Sequence, residues 1–311
     1  MTVKISNVRK AYVAPVHYLD MLLAELGDEQ DLLCMERLVL DCHSDRFPVW
    51  AENVWLEPQV ISIDSIKDGA RKLRSIQRNW VLYSVGNHRR ANLIQEQLPH
   101  VSAKPLVFGE PLPKSPLGSW TLIDKNTILA SAKCSSPVPN GAFRFVENKI
   151  DPPNRAYLKL WEAFTRLEMF PQSGQLCLDL GSSPGGWSWV AAQCGAHVYS
   201  IDKAPLDERI SRHPNIEHCL GSGFALDPRH CGQLDWLFSD MACYPDRLFK
   251  LLTRWLEQGE CRNYICTVKL QGEDDWKSIR DLQSIPGSQI VHLSIKSKMC
   301  CKFFLRPSPS A

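Results

Sequence analysis

The hydrophobic pattern changes in character about halfway along the 311-residue chain. Beyond residue 150, short apolar runs alternate with longer stretches in which apolar residues recur at helical spacing. This alternation predicts an α/β fold, a doubly wound sheet with a largely parallel centre and its ligand at the carboxyl ends of the strands. The predicted helices are 156–168, 187–194 and 246–258, and the predicted strands are 175–180, 197–201, 234–239 and 263–269, with a closing hairpin of 290–294 and 300–305.

The first half of the chain predicts a smaller α+β domain. Its pattern indicates helices over 18–26, 65–77 and 91–97 and strands over 37–42 and 80–85. Residues 112–154 are rich in proline, serine and glycine, and proline neither continues a helix nor occupies the centre of a sheet. We therefore expect an irregular linker there, an N-terminal domain over 1–150 and a second domain over 151–311.

Composition narrows the class of protein. Hydrophobic residues make up 44% of the chain and charged residues 23%, which excludes a disordered or collagen-like protein. The apolar stretches are too short to span a membrane, and no apolar segment of a signal peptide follows the basic N-terminus. The twelve cysteines include no C-x-x-C pair, and the histidines lack metal-ligand spacing. We expect a cytoplasmic protein with reduced thiols, no membrane contact and no metal site.

The net charge of +2 conceals a basic region. Residues 67–149 hold thirteen basic and five acidic residues, a net charge of +8. Such a block indicates a surface for a polyanion, although a solvated basic face is the alternative. The basic residues that we expect to carry much of the affinity for such a polyanion are Arg71, Lys72, Arg74, Arg78, Arg89 and Arg90.

The strand predicted at 175–180 runs into D-L-G-S-S-P-G-G-W, residues 179–187. Glycines allow a tight turn and a close approach to a ligand, and the following helix presents free N–H groups. Because the pattern G-x-G-x-x-G is missing, a nicotinamide oxidoreductase is disfavoured. Asp202 ends the next predicted strand, 21 residues after Gly181, where a carboxylate is suited to accept hydrogen bonds from a ribose diol.

The loop 179–187 resembles that of the FtsJ-like S-adenosylmethionine-dependent RNA 2′-O-methyltransferases. The segment P-N-R-A-Y-L-K-L-W-E-A-F at 153–164 and the stretch 239–270 resemble a narrower group, the RlmM-like enzymes. The resemblance covers roughly residues 150–305. It implies a Rossmann-like methyltransferase domain, S-adenosylmethionine as cofactor, and methylation of a ribose 2′-hydroxyl, most specifically in a cytidine of large-subunit ribosomal RNA. The first half matches the RNA-binding region of such proteins only loosely, in order and size.

The resemblance also implies the roles of individual residues. Asp240 would lie beside the reacting methyl group, Lys269 would accept the proton, and Lys159 would complete a Lys-Asp-Lys set. Two departures are present: Ser222 replaces the usual acid near the adenine ring, and the glutamate commonly found on the last strand is missing near 298–299. The cofactor contacts implied are Asp179, Gly181, Ser183, Pro184, Gly185, Gly186, Trp187, Asp202, Ser222 and Asp240.

The implied chemistry agrees with the residue types. A ribose 2′-hydroxyl is a poor nucleophile, so methyl transfer needs alignment and a base, and a lysine serves as a base only when neutral. Alternatives stay open: Lys159 as an ordinary surface lysine, Trp187 as a packing residue, a methyltransferase for tRNA or a capped RNA end, and an RNA-binding protein of this fold that has lost turnover.

Overall fold

The computed structural model describes residues 5–27, 32–43, 46–270, 275–294 and 300–305. The chain divides into two compact units. The first consists of Met1–Leu106 and Leu112–Arg144, and the second of Val107–Pro111 and Phe145–Ala311. The assignment of separate functional domains with a boundary near residue 150 stays a prediction.

The first unit contains an antiparallel sheet in which the strands follow the order β2-β3-β1-β4-β9. One face of this sheet buries a hydrophobic cluster that includes Ala11, Leu40 and Trp55. An eight-residue helix, α1 (Leu19–Leu26), follows the first strand. The strands are β1 (Lys10–Val13), β2 (Leu32–Met35), β3 (Leu38–Asp41), β4 (Asn53–Leu56) and β9 (Lys133–Cys134).

A second sheet of the first unit, in the order β5-β8-β7-β6, packs against two helices. Its members are β5 (Gln59–Ser62), β6 (Trp80–Leu82), β7 (Gly118–Asp124) and β8 (Thr127–Ser131), with α2 (Ile66–Ile76) and α3 (His88–Gln95). Helix α2 begins after Ser65, whose hydroxyl accepts a hydrogen bond from the Asp68 N–H at 3.1 Å. Ala70 and Leu73 are buried on the apolar face of α2. The basic residues of α2 therefore remain on its outer face.

The expectation of an irregular linker over 112–154 is wrong for its central part. Strands β7 and β8 lie there and form a hairpin. The prolines at 113 and 116 precede β7, and those at 137 and 139 follow β9, so they flank the strands without interrupting a ladder of hydrogen bonds. The prediction failed because it used the proline content of the whole segment, whereas β7 and β8 themselves contain no proline.

The second unit is built on a sheet in the order β12-β11-β10-β13-β14-β16-β15, which confirms the predicted α/β fold class. The first five strands in this order are parallel, and β16 is antiparallel to both neighbours. The strand order reverses between β10 and β13, the place where a doubly wound sheet opens a crevice at its carboxyl edge. The strands are β10 (Leu176–Leu180), β11 (His197–Asp202), β12 (Ile216–Leu220), β13 (Gln233–Ser239), β14 (Glu260–Lys269), β15 (Ser288–His292) and β16 (Cys300–Leu305).

The helices of the second unit are α4 (Tyr157–Leu167), α5 (Gly186–Gln193), α6 (Glu208–Ser211), α7 (Pro245–Gln258) and α8 (Asp275–Gln283). Helix α4 is anchored by aromatic packing, because the ring of Trp161 stacks on that of Phe108, with centroids 4.9 Å apart and an interplanar angle of 2°. This contact ties Val107–Pro111 to the second unit. No helix in the described ranges is long and apolar enough to cross a membrane.

A buried carboxylate joins α4 to the chain that follows β15. Glu162 is 0% exposed, and its Oε1 accepts hydrogen bonds from Arg166 Nε and Nη2, at 2.9 and 2.8 Å, and from the Ser294 N–H at 3.0 Å. A buried ion pair that loses one partner leaves a charge with no compensation. Glu162 thus fixes the helix that carries Lys159.

We predict that Glu162→Ala lowers the free energy of unfolding by about 3–5 kcal/mol, because the Arg166 guanidinium and the Ser294 N–H both lose their acceptor. Denaturant unfolding measures this loss. The matched control is Glu208→Ala, which removes the acid of the exposed Glu208–Arg212 pair at the same helical spacing. The control should cost only a small fraction of the Glu162 effect. Equal losses in the two variants would contradict the proposed anchoring.

Candidate active site

The glycine-rich loop lies at the carboxyl end of β10, at the point where the strand order reverses. Gly181 has a φ of +78°, and a Cβ there would come within 2.3 Å of Met241 Cγ. Gly185 has a φ of +110°, and a Cβ there would meet Ile210 Cγ2 at 2.7 Å. Left-handed backbone and close approach together require glycine at both positions. The loop therefore brings bare backbone to the edge of the crevice.

Asp202, at the end of β11, is held against this loop by two backbone hydrogen bonds. Its Oδ2 accepts from the Ser183 N–H at 3.0 Å, and its Oδ1 accepts from the Ala204 N–H at 2.9 Å. Each carboxylate oxygen retains further acceptor capacity. The predicted ribose acceptor is thus fixed beside the loop and can still bind hydroxyl groups.

Beneath the loop lies a buried acid. Asp179 is 1% exposed, and its Oδ2 accepts from the Ser188 hydroxyl at 2.7 Å, while Ser188 and Ser200 hydroxyls are 2.5 Å apart. Burial raises the pKa of Asp179 to about 7, and the charge of Asp240 acts in the same direction, against the hydrogen bond from Ser188. Asp179 Oδ1 and Ser182 Oγ are buried with no hydrogen-bond partner among the residues that the structure describes. These two oxygens are suited to a ligand that brings hydrogen-bond donors.

Lys159, Asp240 and Lys269 come from three separate elements and meet at the crevice. Lys159 Nζ, on α4, lies 3.3 and 3.1 Å from Asp240 Oδ1 and Oδ2. Lys269 Nζ, at the end of β14, donates to the Asp240 carbonyl oxygen at 2.7 Å and is 3.6 Å from Oδ1. The three side chains are 14%, 18% and 23% exposed, in the order Lys159, Asp240 and Lys269. Two lysines therefore share one aspartate at a site that solvent still reaches.

The loop that carries Ser222 is held from α7. Arg254 Nη2 donates to the carbonyl oxygens of Phe224 and Leu226, both at 2.9 Å. The guanidinium of Arg247, seven residues earlier on the same helix, lies 3.8 Å from the centre of the Phe224 ring. Sequence reasoning missed both arginines, since nothing in the sequence pattern connects a helical arginine with a distant loop carbonyl.

Met241 is a further residue that sequence reasoning missed. Its side chain touches the loop at Gly181, and its Sδ would lie 3.2 Å from a Cβ at Gly223. Met241 therefore sits between the loop after β10 and the loop after β12. The only available signal was its position next to Asp240.

Trp187 has the packing role that the sequence left open. Its ring is 3% exposed, its Nε1 donates to the Ala156 carbonyl oxygen at 3.0 Å, and it meets Phe238 edge-on with centroids 6.4 Å apart. Its indole is therefore not at the surface of the loop. The positions near 298–299, where a catalytic glutamate was missing from the sequence, lie outside the described residues. Over the described ranges, no cluster of three or more histidine, cysteine or acidic side chains is arranged to hold a metal ion.

Comparison with known proteins agrees with this geometry. Residues 152–258 match the family model described as FtsJ-like methyltransferase. The matched segment makes up about a third of the chain and lies within the second unit. The match confirms the resemblance drawn from the sequence and, at the level of the domain family, the expected cofactor S-adenosylmethionine.

Curated relatives share about a third of the matched residues. A protein named Ribosomal RNA large subunit methyltransferase M from Xanthomonas axonopodis pv. citri is 33% identical over 186 residues, which cover 56% of this chain and 52% of the relative. The protein of the same name from Alkalilimnicola ehrlichii is 33% identical over 163 residues, which cover 50% of this chain and 44% of the relative. The chain thus spans about half the length of the curated relatives it matches.

Solved structures give weaker likenesses. Fibrillarin from Aeropyrum pernix, with natively bound S-adenosyl-L-methionine, is 16% identical with a TM-score of 0.38, covering 63% of this chain and 84% of that chain. The 1,6-didemethyltoxoflavin-N1-methyltransferase of Burkholderia thailandensis is 14% identical with a TM-score of 0.38, covering 50% and 80%. These values add nothing to the fold described above.

The buried acid leads to a prediction on pH and stability. Because the pKa of Asp179 is raised in the folded protein, the folded state keeps a proton that the unfolded state releases above pH ~4. The stability present at low pH is therefore lost as the pH rises towards about 7, at up to about 1.4 kcal/mol per pH unit. Asp179→Asn stays neutral and can still accept from Ser188, so the fall in melting temperature that Asp179 causes between pH 5 and pH 7.5 should be absent from this variant.

The control for this measurement is Asp207→Asn. The hydrogen bond from Arg209 lowers the pKa of the Asp207 carboxyl, which is therefore ionised throughout that pH interval in both folded and unfolded states. Asp207→Asn should leave the pH dependence of the melting temperature unchanged. A wild type and an Asp179→Asn variant with parallel pH profiles would refute the protonated state of Asp179.

Proposed function

We propose that the chain transfers a methyl group from S-adenosylmethionine to a ribose 2′-hydroxyl of RNA, specifically of a cytidine in large-subunit ribosomal RNA. The observation that carries this proposal is the convergence of Lys159 and Lys269 on Asp240, next to a glycine loop at the carboxyl edge of the sheet. The names of the curated relatives support ribosomal RNA as the substrate. We propose further that RNA binds through the basic region 67–149 and that the protein acts in the cytoplasm.

The residues present fit the proposed cofactor. S-adenosylmethionine supplies an electrophilic methyl group on a sulfonium centre. Asp202 would accept hydrogen bonds from its ribose, and the Ser222 hydroxyl would bind the adenine edge. The backbone of Ser183–Gly186 would pack against it, and the unpartnered oxygens of Asp179 and Ser182 would accept from donors of the amino-acid moiety.

Lys269 is suited to take the proton of the attacking hydroxyl. One of its N–H groups is used by the Asp240 carbonyl oxygen at 2.7 Å, which fixes the direction of the side chain. A neutral amine in that position has a lone pair for the 2′-hydroxyl proton, so the oxygen gains nucleophilicity as it approaches the methyl group. Lys159 binds both carboxylate oxygens of Asp240 and so keeps this residue aligned. Alignment and proton removal are thus provided by three residues of the chain.

The second candidate function is that of an RNA-binding protein of the same fold that has lost methyl transfer. The observation that favours it is Ser222, since a hydroxyl binds the adenine edge less strongly than the acid usual in the family. This candidate predicts RNA binding without methyl incorporation. Methylation of a tRNA or of a capped RNA end is distinguished by mapping the methylated nucleotide.

We predict that Asp202→Asn weakens binding of S-adenosylhomocysteine by at least about 10-fold, because an amide accepts ribose hydroxyl protons less well than a carboxylate. Isothermal titration calorimetry measures the dissociation constant without turnover. Glu257→Gln, an exposed acid of α7, is the charge-matched control and should bind as the wild type does. Equal affinities of Asp202→Asn and wild type would remove Asp202 from the cofactor site.

The decisive experiment is methyl transfer by Lys269 variants on unmodified total RNA, followed by mass mapping of the product. Lys269→Ala and Lys269→Arg should both lose at least about 10²-fold in rate under saturating cofactor, because neither side chain accepts a proton at neutral pH. Both should bind S-adenosylhomocysteine as the wild type does. Lys277→Arg, on α8, controls for the substitution itself.

The outcomes separate the alternatives. A near-normal rate in Lys269→Arg would show that Lys269 contributes only charge, so that another group takes the proton. A wild type that binds cofactor and RNA but incorporates no methyl group would refute the enzyme and favour the binding protein. Methylation of an RNA other than large-subunit ribosomal RNA would correct the substrate.

A further inference from the structure

Of the six basic residues expected to bind RNA, Arg71 and Lys72 are paired with an acid, whereas Arg74, Arg78, Arg89 and Arg90 form no ion pair in the described part of the chain. Arg71 Nη2 is 2.5 Å from Asp68 Oδ1, and Lys72 Nζ is 2.8 Å from Asp68 Oδ2. Lys72 also donates to the Ser62 carbonyl oxygen at 2.8 Å. The same two side chains hold the pKa of the Asp68 carboxyl at about 2, so this acid stays ionised and keeps them in place. The outer face of α2 is therefore less available to a polyanion than its charge suggests.

Arg89 and Arg90 differ from this pair. Neither has an ion pair within the part of the chain that the structure describes, and Arg90 Nε is buried with no hydrogen-bond partner there. Both line an open, shallow groove at the start of α3, which Ile66 at the start of α2 also borders. The residues around this groove are Ile66, Asn87, His88, Arg89, Arg90 and Leu93.

The first turn of α3 adds to the positive potential of the groove. It contains Arg89 and Arg90 and no acid. Asn87, which precedes the helix, provides no side-chain cap to the free N–H groups. Cations at a helix N-terminus oppose the helix dipole, and a bound anion reverses that unfavourable arrangement. A negative group in the groove would meet the side chains of two arginines at once.

We propose that this groove binds a backbone phosphate of the RNA substrate, with Arg89 and Arg90 as its principal ligands. The inference rests on the proposed function and names the surface through which the first unit takes part in it. A guanidinium matches two phosphate oxygens in a planar fork, and a contact to phosphate carries no sequence information. The contact is therefore independent of sequence and positions the RNA.

The test compares two double variants that each remove two positive charges from the same region. Arg89→Gln/Arg90→Gln should weaken binding of an unmodified large-subunit ribosomal RNA fragment by about 10-fold or more and reduce the slope of log affinity against log salt by about one to two. Arg71→Gln/Lys72→Gln, the matched control, should change both quantities much less. Arg89→Lys/Arg90→Lys should regain the salt slope but only part of the affinity, because the ammonium lacks the fork.

Two further measurements keep the result interpretable. The affinity for S-adenosylhomocysteine should be unchanged in all variants, and each variant should remain folded at the temperature of the binding assay. Equal losses in the two glutamine variants would overturn the groove in favour of diffuse attraction by the whole basic region. An Arg89→Gln/Arg90→Gln variant that binds the RNA as tightly as the wild type does would overturn the proposed groove but would not contradict the proposed methyl transfer. Failure of the wild type to bind the RNA would instead overturn the proposed function, and the groove with it.

Discussion

The candidate site depends on the ability of one aspartate to hold two lysines at the carboxyl edge of a parallel sheet. The register of that sheet makes the arrangement possible: Leu180 pairs with Ser239, so Asp240 emerges directly beside the glycine loop. Lys269, at the end of the neighbouring strand, then reaches the Asp240 backbone. A slip of one residue in β13 or β14 would turn these side chains away from the crevice. The positions of Asp240 and Lys269 are therefore set by the register of the three parallel strands β10, β13 and β14.

The walls of the crevice depend on the same region of the chain. Met241 follows Asp240 and fills the space between two loops, which excludes any side chain at Gly181. Four residues further on, α7 begins, and its Arg254 binds the carbonyl groups of the loop that carries Ser222. The segment after β13 thus supplies the central carboxylate, the packing between two loops and the helix that fixes one of them. Substitution of Arg254 should therefore disturb the loop that carries Ser222.

The sheet of the second unit could be predicted because most of its parallel strands are buried and read as apolar runs. The exception is β12 at the sheet edge, where Ile216 is buried and the other four positions are partly or fully exposed. Lys159 and Lys269 could be predicted from the family resemblance, since neither residue is distinctive alone. The bonds of Arg254 could not, because they join positions about 30 residues apart through carbonyl groups that every residue has. In the first unit, β7 and β8 were not predicted, because prolines on both sides of these strands made the whole segment look irregular.

Charge counting was least reliable where the side chains have partners. The block of +8 treats Arg71 and Arg89 alike, yet Asp68 neutralises part of the first group and no described acid pairs with the second. A side chain already bound to a carboxylate must give up that contact to bind phosphate, so its net contribution to RNA affinity is small. An unpaired arginine loses only water. Within a basic region, the position of the few acids therefore decides which basic side chains are free to bind phosphate, and Arg89 and Arg90 are among those without an ion pair in the described part of the chain.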